Sequence, residues 1–422
     1  MDVQPDASPL RILVVVNVFQ PDLGGGVLFS DLCYGLAARG FDVTVRCAYP
    51  YYPEWRDKSG KNGFRITRTM EQGVRVERYG LYIPGNPNAL FERLLYEASF
   101  FLSLARTLPK RKQYDLIMVY CPLVGSVAYG ALARLTNRGP LWLNVQDLSA
   151  DAAAASGLTH AGFVTRLFSR IQRTLFNRAD VWSSLSPVMI DRLKTLRVRN
   201  QPILYFPNWL HETLADTISA QPSKAGRLPG SPLHLLYSGN IGTKQDLLRF
   251  CKVLHTSDLA FRFRIQGGGS RAHEVQEWVD DTGDERFSFH PLSDESGLAQ
   301  ALHRTDFFVI TEKAGSGGSF IPSKLVPGLA SETPILAVCD GQSPLGREMS
   351  LSKPGPQIDW LALDTLPALL HGLADTPERY LHWQRNAIER SVFFARETAI
   401  ERYAAALRSV IAETSLDPFT FF

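Results

Sequence analysis

Several short stretches of this chain carry residue types that could hold a phosphate or handle a hydroxyl group. The first is Ile321 to Val338, IPSKLVPGLASETPILAV. It reads as a short helix that starts at Pro322-Ser323-Lys324 and runs into a buried strand. Proline in a first helical turn forfeits no backbone bond, because that N–H has no intrahelical partner. Ser323 can cap the free N–H groups, and Lys324 brings a positive charge to the same end, an arrangement suited to phosphate. A capped helix in any α/β domain is the plain alternative. The second stretch, Ser238-Gly239-Asn240-Ile241-Gly242-Thr243-Lys244-Gln245, follows a strand and opens a helix. Its backbone N–H groups, the Asn240 amide and the Lys244 ammonium could meet a diphosphate; an ordinary βα loop with a surface lysine is the alternative.

Gly24-Gly25-Gly26 lets a ligand approach the backbone, because no side chain intervenes. It lacks the GxGxxG spacing of a dinucleotide fingerprint, which disfavours an NAD enzyme. Gly267-Gly268-Gly269 could admit a base or ribose, or could be a turn. Asn144-Val145-Gln146-Asp147 places Asp147 at a strand end, where it serves either as a catalytic or orienting carboxylate or as a helix cap. Glu312 could accept hydrogen bonds from sugar hydroxyls or pair with a loop cation.

The elements that must hold these residues alternate strand and helix. Arg11–Val16 is a mostly apolar run of the kind buried on both faces of a parallel sheet. A helix from Val27 to Ala38, closed at Gly40, and a strand from Val43 to Cys47 complete a βαβ unit. Residues 64–68 and 74–78 alternate in period two about Gly73 and predict an edge hairpin. A helix follows from Ala89 to about Leu108. Strands are expected at 116–120, 141–145, 181–185 and 203–206, with helices near 126–135 and 163–176. Pro207-Asn208-Trp209 breaks the pattern, and the polar stretch from Gln221 to Gly230 reads as a linker. Alternation then resumes with strands at 233–237, 261–265, 287–290 and 307–310 and helices at 246–255 and 272–279. An amphipathic helical tail covers 376–412. The fold class is therefore α/β, with two doubly wound halves that would face a central cleft, a favoured place for a substrate.

Composition narrows the function. The 422 residues suit two or three domains, and a formal charge of +3 is too small to argue for nucleic acid. Five scattered cysteines show no CxxC or zinc spacing, as expected for reduced, buried thiols of a cytosolic protein. No HExxH or HxxH pair occurs among the nine histidines, so no metal site is expected. MDVQPDASPL does not read as a secretory signal, and no run of ~18 apolar residues is present. Two segments mix aromatic or aliphatic with basic residues, Phe91 to Lys112 and Arg166 to Arg173. Such helices can lie on anionic lipid, or can simply turn a basic face to solvent.

In this order the motifs resemble those of GT-B glycosyltransferases of the retaining family 4, and within it the subgroup tied to colanic acid and exopolysaccharide synthesis. The resemblance runs from Arg11 to about Leu407. It rests on Gly24-Gly25-Gly26, Tyr52-Pro53-Glu54-Trp55-Arg56, Val145-Gln146-Asp147, Pro207-Asn208-Trp209, Tyr237 to Gly242, and Pro322-Ser323-Lys324-Leu325 with Leu329-Ala330-Ser331. It implies an acceptor domain at 1–208, a nucleotide-sugar donor domain at 209–395, and a final helix at 396–422 that crosses back. It also implies no metal and no cofactor, with cations and helix N-termini stabilising the leaving diphosphate. Three positions depart from the family pattern. The usual glutamate pair reads Ser319 and Pro327, a common arginine is Asn240, and a common histidine is Gln146.

The resulting expectation is a glycosyltransferase that moves a sugar from a nucleotide diphosphate to a glycan acceptor, lipid-linked, with retention, at the cytoplasmic face of a membrane. Asp147, Lys244 and Lys324 are the expected catalytic residues. Gly25, Gly26, Gly239, Asn240, Gly268, Glu312 and Ser323 are the expected donor contacts. The rival readings are an inactive partner subunit of the same fold and a nucleotide-sugar 2-epimerase.

Overall fold

A computed structural model describes residues 8–87, 89–121, 123–147, 162–224, 230–313, 321–374 and 376–412. The chain divides into two compact units, 1–207 with 399–422, and 208–398.

In the first unit the strands are β1 (Arg11–Val15), β2 (Asp42–Ala48), β3 (Thr67–Glu71), β4 (Val74–Tyr79), β5 (Leu116–Cys121), β6 (Leu141–Val145), β7 (Val181–Ser184) and β8 (Ile203–Tyr205). They form one sheet in the order β3-β4-β2-β1-β5-β6-β7-β8. Only β3 runs antiparallel. The helices are α1 (Gly25–Ala38), α2 (Leu90–Ala105), α3 (Val124–Asn137), α4 (Gly162–Phe176) and α5 (Pro187–Leu196); α2 packs on α3, and α3 on α4. The edge hairpin lies later than the alternation suggested, at 67–71 rather than 64–68. Gln72 and Gly73 both have positive φ, 47° and 80°, the signature of a two-residue type I′ turn, and that turn sets the register with Glu71 opposite Val74.

The second unit holds β9 (Leu233–Asn240), β10 (Phe261–Gly268), β11 (Phe287–His290), β12 (Phe307–Thr311), β13 (Ile335–Val338) and β14 (Gln357–Ile358), all parallel, in the order β11-β10-β9-β12-β13-β14. Its helices are α6 (Glu212–Ser219), α7 (Leu247–His255), α8 (Ala272–Thr282), α9 (Glu295–His303), α10 (Leu325–Ala330), α11 (Pro344–Ser352), α12 (Leu366–Ala374) and α13 (Pro377–Ser391). Both faces of this sheet are covered. Leu235, Tyr237, Phe307 and Val309 enter one apolar cluster, while Leu236, Phe308 and Ile310 enter another. Double burial explains why these strands read as continuous apolar runs rather than alternating ones.

The last helix, α14 (Arg396–Ile411), returns to the first unit. Tyr403 stacks on Phe206 with ring centroids 4.2 Å apart, and its hydroxyl accepts from Asn144 Nδ2 at 2.9 Å. Gly35 of α1 lies against Ile400; a Cβ there would come within 2.4 Å of Ile400 Cδ1. The expected linker is partly anchored. Lys224 is partly buried, and its ammonium donates to Leu302 O at 3.0 Å and Thr333 Oγ1 at 2.9 Å. The turn chemistry of 221–230 hid this, because one long aliphatic stem in a polar stretch carries no periodic signal. All five cysteines are free and buried.

Candidate functional site

In the second unit, β9 leads through α7 to β10 on one side and has β12 as its neighbour on the other. The sheet reverses its direction of growth between β9 and β12, and ligands of open parallel sheets bind outside the carboxyl ends of strands at such a point. Lys324 lies there. Its Nζ sits 3.9 Å from the centre of the Tyr237 ring, and a Cβ on Gly239 would stand 3.5 Å from both Lys324 Cε and Nζ. That nitrogen is buried and has no hydrogen-bond partner among the described residues. Burial pushes its pKa down to about 8, opposed by the charge of Glu312. A buried amine without an acceptor is costly, and a polarised ring face recovers only part of the lost hydration.

Glu312 follows β12 directly. Its backbone N–H donates to Val338 O at 2.9 Å, its carbonyl accepts from the Trp360 indole, and its Oε2 accepts from Ser343 Oγ at 3.3 Å. Burial pushes its carboxyl up to about 7, against the lowering effects of Ser343 and Lys324. A carboxyl and an ammonium thus sit at neighbouring strand ends, both displaced toward neutrality by the same desolvation. Thr311 Oγ1, one residue earlier, is a second buried polar atom with no described partner.

The glycines divide by role. Gly239 has φ 124°, and its missing side chain is the space that Lys324 approaches. Gly267 is required by packing, since a Cβ would lie 2.0 Å from Gly239 O; Gly269 likewise, at 2.5 Å from Asn240 Oδ1. Gly268, the sequence-predicted contact, faces open space, while its carbonyl accepts from Ile241 N at 2.8 Å. Asn240 is exposed, its amide 3.4 Å from Gln245 Oε1, which also accepts from Gly242 N at 2.9 Å. The side chain of Lys244 is exposed, and its carbonyl accepts from Lys313 N at 2.7 Å.

One expectation is corrected here. Ser323 does not cap a helix, and Pro322 is not in a first helical turn. Residues 322–325 form a turn in which Leu325 N donates to Pro322 O at 3.0 Å. Helix α10 begins at Leu325, has six residues, and shows no side-chain cap. Its N–H of Leu325 is spent on the turn, so the positive end of this segment is the Lys324 ammonium rather than a row of capped amides. Of the family's glutamate positions, Pro327 lies within α10 and Ser319 lies outside the described residues.

In the first unit the sheet reverses between β1 and β5. Gly24 precedes α1 with φ 64°. Gly26 is buried, and a Cβ there would meet Asp22 Cβ at 3.1 Å; its lack of a side chain serves packing of the loop rather than an open approach. Gly25 is partly exposed, facing Phe29 of its own helix. Asp22 escaped the sequence reading. Its Oδ1 accepts from Tyr51 N and Tyr52 N, both at 3.0 Å, with Lys58 Nζ at 3.5 Å, while Oδ2 is buried without a described partner. Burial raises its pKa. The residue tethers the 51–58 segment to the loop after β1, a contact 29 positions apart that no local motif announces. Nearby, Asn17 Nδ2 donates to the hydroxyls of Tyr51 and Tyr96 at 2.9 and 3.1 Å. Glu97 caps the start of α3 by accepting from Gly125 N at 2.8 Å, and burial pushes its carboxyl up to about 7. Asp147 is exposed just beyond β6, with its carbonyl 3.6 Å from Cys121 Sγ. The structure therefore gathers Gly239, Glu312 and Lys324 in one unit and places Gly25, Gly26 and Asp147 in the other. Among the described residues no group of three or more His, Cys, Asp or Glu side chains could hold a metal ion.

Comparisons with known proteins bear on the fold and on the first domain. The profile described as "Glycosyl transferase 4-like domain" matches residues 24–209. A putative colanic acid biosynthesis glycosyl transferase, WcaI of Escherichia coli K12, is 28% identical over 352 residues, which cover 80% of this chain and 85% of that protein. Sucrose-phosphate synthase from Thermosynechococcus elongatus superposes with a TM-score of 0.66 at 15% identity, over 96% of this chain and 100% of that one. HepE of Anabaena, solved in complex with UDP-glucose, superposes with a TM-score of 0.61 at 15% identity, over 95% and 100% of the two chains. Two doubly wound, mainly parallel sheets give the chain the GT-B architecture of its structural neighbours, residues 24–209 carry a glycosyl transferase 4-like domain, and most of its length is similar to a glycosyl transferase.

Proposed function

We propose that the protein transfers a sugar, with retention, from a nucleotide diphosphate to a lipid-linked glycan acceptor in polysaccharide or glycoconjugate synthesis. The observation that carries this reading is the buried Lys324 ammonium beneath Gly239, which has no acceptor among the described residues. A diphosphate oxygen at the reversal of the sheet would supply one. Fixed charge in a dry site stabilises the negative charge that grows on a leaving diphosphate, with little reorganisation at the moment of reaction. Lys244 would add a second cation from the β9–α7 loop, and the open face of Gly268 would leave room for ribose or base. Glu312, held by Ser343 and near neutrality, would bind a donor-sugar hydroxyl in place of the glutamate pair that the chain lacks. No divalent ion is assigned a role. In the first unit, Gly25 would border the acceptor and Asp147 would orient its hydroxyl, while the buried Gly26 only packs the loop. The proton of that hydroxyl would pass to the leaving phosphate in a same-face attack.

The relatives support the class of donor and product. HepE was solved with UDP-glucose, and WcaI is described as a colanic acid enzyme. A site at the cytoplasmic face of a membrane fits α2, on which Phe91 and Leu102 are 71% and 63% exposed. No helix among the described residues is long and apolar enough to cross a membrane. The test is a thermal-shift screen of UDP-, GDP-, ADP- and CMP-sugars, followed by NMR of the anomeric product with lipid-linked glycans. A donor at one hundred times its Kd stabilises the fold by about 2.7 kcal/mol. Absence of any nucleotide-sugar binding, or turnover of donor to its epimer without acceptor, overturns the proposal.

A further inference from the structure

The first unit contains a second concave site that the transfer reaction does not use. A groove of about 930 Å³ lies where α3, α4 and α5 end, and five arginines line it, Arg134, Arg170, Arg173, Arg178 and Arg199. Arg178 leads into β7, Arg199 leads toward β8, and Arg134 stands near the end of α3, which leads to β6. The groove is therefore at the amino-terminal edge of the sheet, opposite the strand ends that carry Asp147 and the Gly24–Gly26 loop.

Part of this arginine cluster has a structural purpose. Arg134 donates to Arg178 O at 3.0 Å, Arg173 to Leu196 O at 3.2 Å, and Arg199 to the carbonyls of Asn177 and Ala179, both at 2.9 Å. Cations suit the negative ends of helices. That purpose does not account for the whole cluster. The bonds occupy one nitrogen each of Arg173 and Arg199, where a guanidinium offers five N–H donors. The side chains of Arg170 and Arg178 make no hydrogen bond or ion pair among the described residues. Only Arg134 of the five meets a carboxylate there, Asp180 Oδ1 at 2.6 Å. Like charges gathered along one groove repel each other, and salt screens only part of that repulsion. A multivalent anion relieves that repulsion, and guanidinium groups match phosphate oxygens two at a time.

We propose that this groove binds a phosphate-bearing polyanion at a site distinct from the donor site. The shared chemistry is a run of phosphate groups, presented by the headgroups of an anionic bilayer or by a soluble polyphosphate. The full chain is titrated with tripolyphosphate by calorimetry, and separately with vesicles of phosphatidylcholine with and without phosphatidylglycerol by co-sedimentation. Two variants are compared, Arg170→Glu/Arg178→Glu in the groove and Lys252→Glu/Arg262→Glu, an equal change of charge at exposed positions of the second unit. Arg170→Gln/Arg178→Gln serves if the reversed pair fails to fold. The expected result is a loss of at least about tenfold in affinity in the groove variant, little change in the control pair, and unchanged nucleotide-sugar binding in both. Loss in the vesicle arm assigns the bilayer, and loss in the calorimetric arm assigns the soluble ligand. Binding in neither arm, retained affinity in the groove variant, or equal loss in the control pair overturns the proposal. Because nucleotide-sugar binding is read in the same samples, failure here leaves the transferase reading standing.

Discussion

Replacing Lys324 by methionine tests the donor site through stability as well as activity. The ammonium is held at about 8 rather than the ordinary 10.5 because burial removes its hydration. That displacement corresponds to about 3 kcal/mol against the charged form. The sign follows from proton counting. Between pH 8 and 10.5 the unfolded chain holds a proton on this amine and the folded chain does not, so stability rises with pH across that window. Below pH 8 the full penalty is present. Methionine fills a similar space without the charge, so the unliganded variant is more stable at pH 7. Part of the gain is returned, because Glu312 loses the cation that lowers its own pKa, and a net gain of about 1–3 kcal/mol is expected. For a unit of this size that is a rise of about 2–4 °C in Tm per kcal/mol. The same variant loses the thermal shift given by nucleotide-sugar, and with it turnover. Differential scanning fluorimetry with and without donor measures both effects. A destabilised variant, or one that keeps its donor-induced shift, refutes the argument that Lys324, which has no acceptor among the described residues, awaits a diphosphate.

Four further outcomes are expected. Donor affinity of the unaltered enzyme falls about tenfold per pH unit above pH 8, as Lys324 loses its proton, and calorimetry at several pH values measures it. Glu312 has the opposite linkage: its folded carboxyl titrates near 7, so its contribution to stability declines as pH rises from about 4.5 to 7, and Glu312→Gln flattens that slope in urea titrations. Gly267→Ala drives a Cβ against Gly239 O and destabilises the second unit by about 1–3 kcal/mol or more, read by chemical denaturation. Asp22→Ala leaves the N–H groups of Tyr51 and Tyr52 without their acceptor. A loss of about 2–4 kcal/mol and faster proteolysis between residues 52 and 60 are expected.

Many of the strands were legible because they are buried on both faces, and the edge hairpin because it alternates. Leu233 to Tyr237, Phe307 to Ile310 and Ile335 to Val338 are apolar runs bounded by turns, and that signal survives without any tertiary knowledge. Strand ends in turn located Gly239 and Glu312, and a lysine after Pro-Ser located Lys324. The details that failed depend on a few backbone torsions. A Gln-Gly pair with both φ values positive moved the edge hairpin by three residues, and a single turn at 322–325 removed the expected cap at Ser323. Asp22 and Lys224 went unnoticed because each acts on partners at least 29 positions away.

Apolar periodicity and punctuation by glycine and proline were therefore enough to determine the two α/β units and the loops that follow their strands. Charge placement was decided elsewhere. Whether Lys324 is solvated or stranded, whether Glu312 is ionised, and whether five arginines share one groove depend on which groups the fold brings within a few ångströms and which it shields from water. Electrostatic energies vary steeply with both distance and burial, and neither quantity is written in the order of residues along the chain.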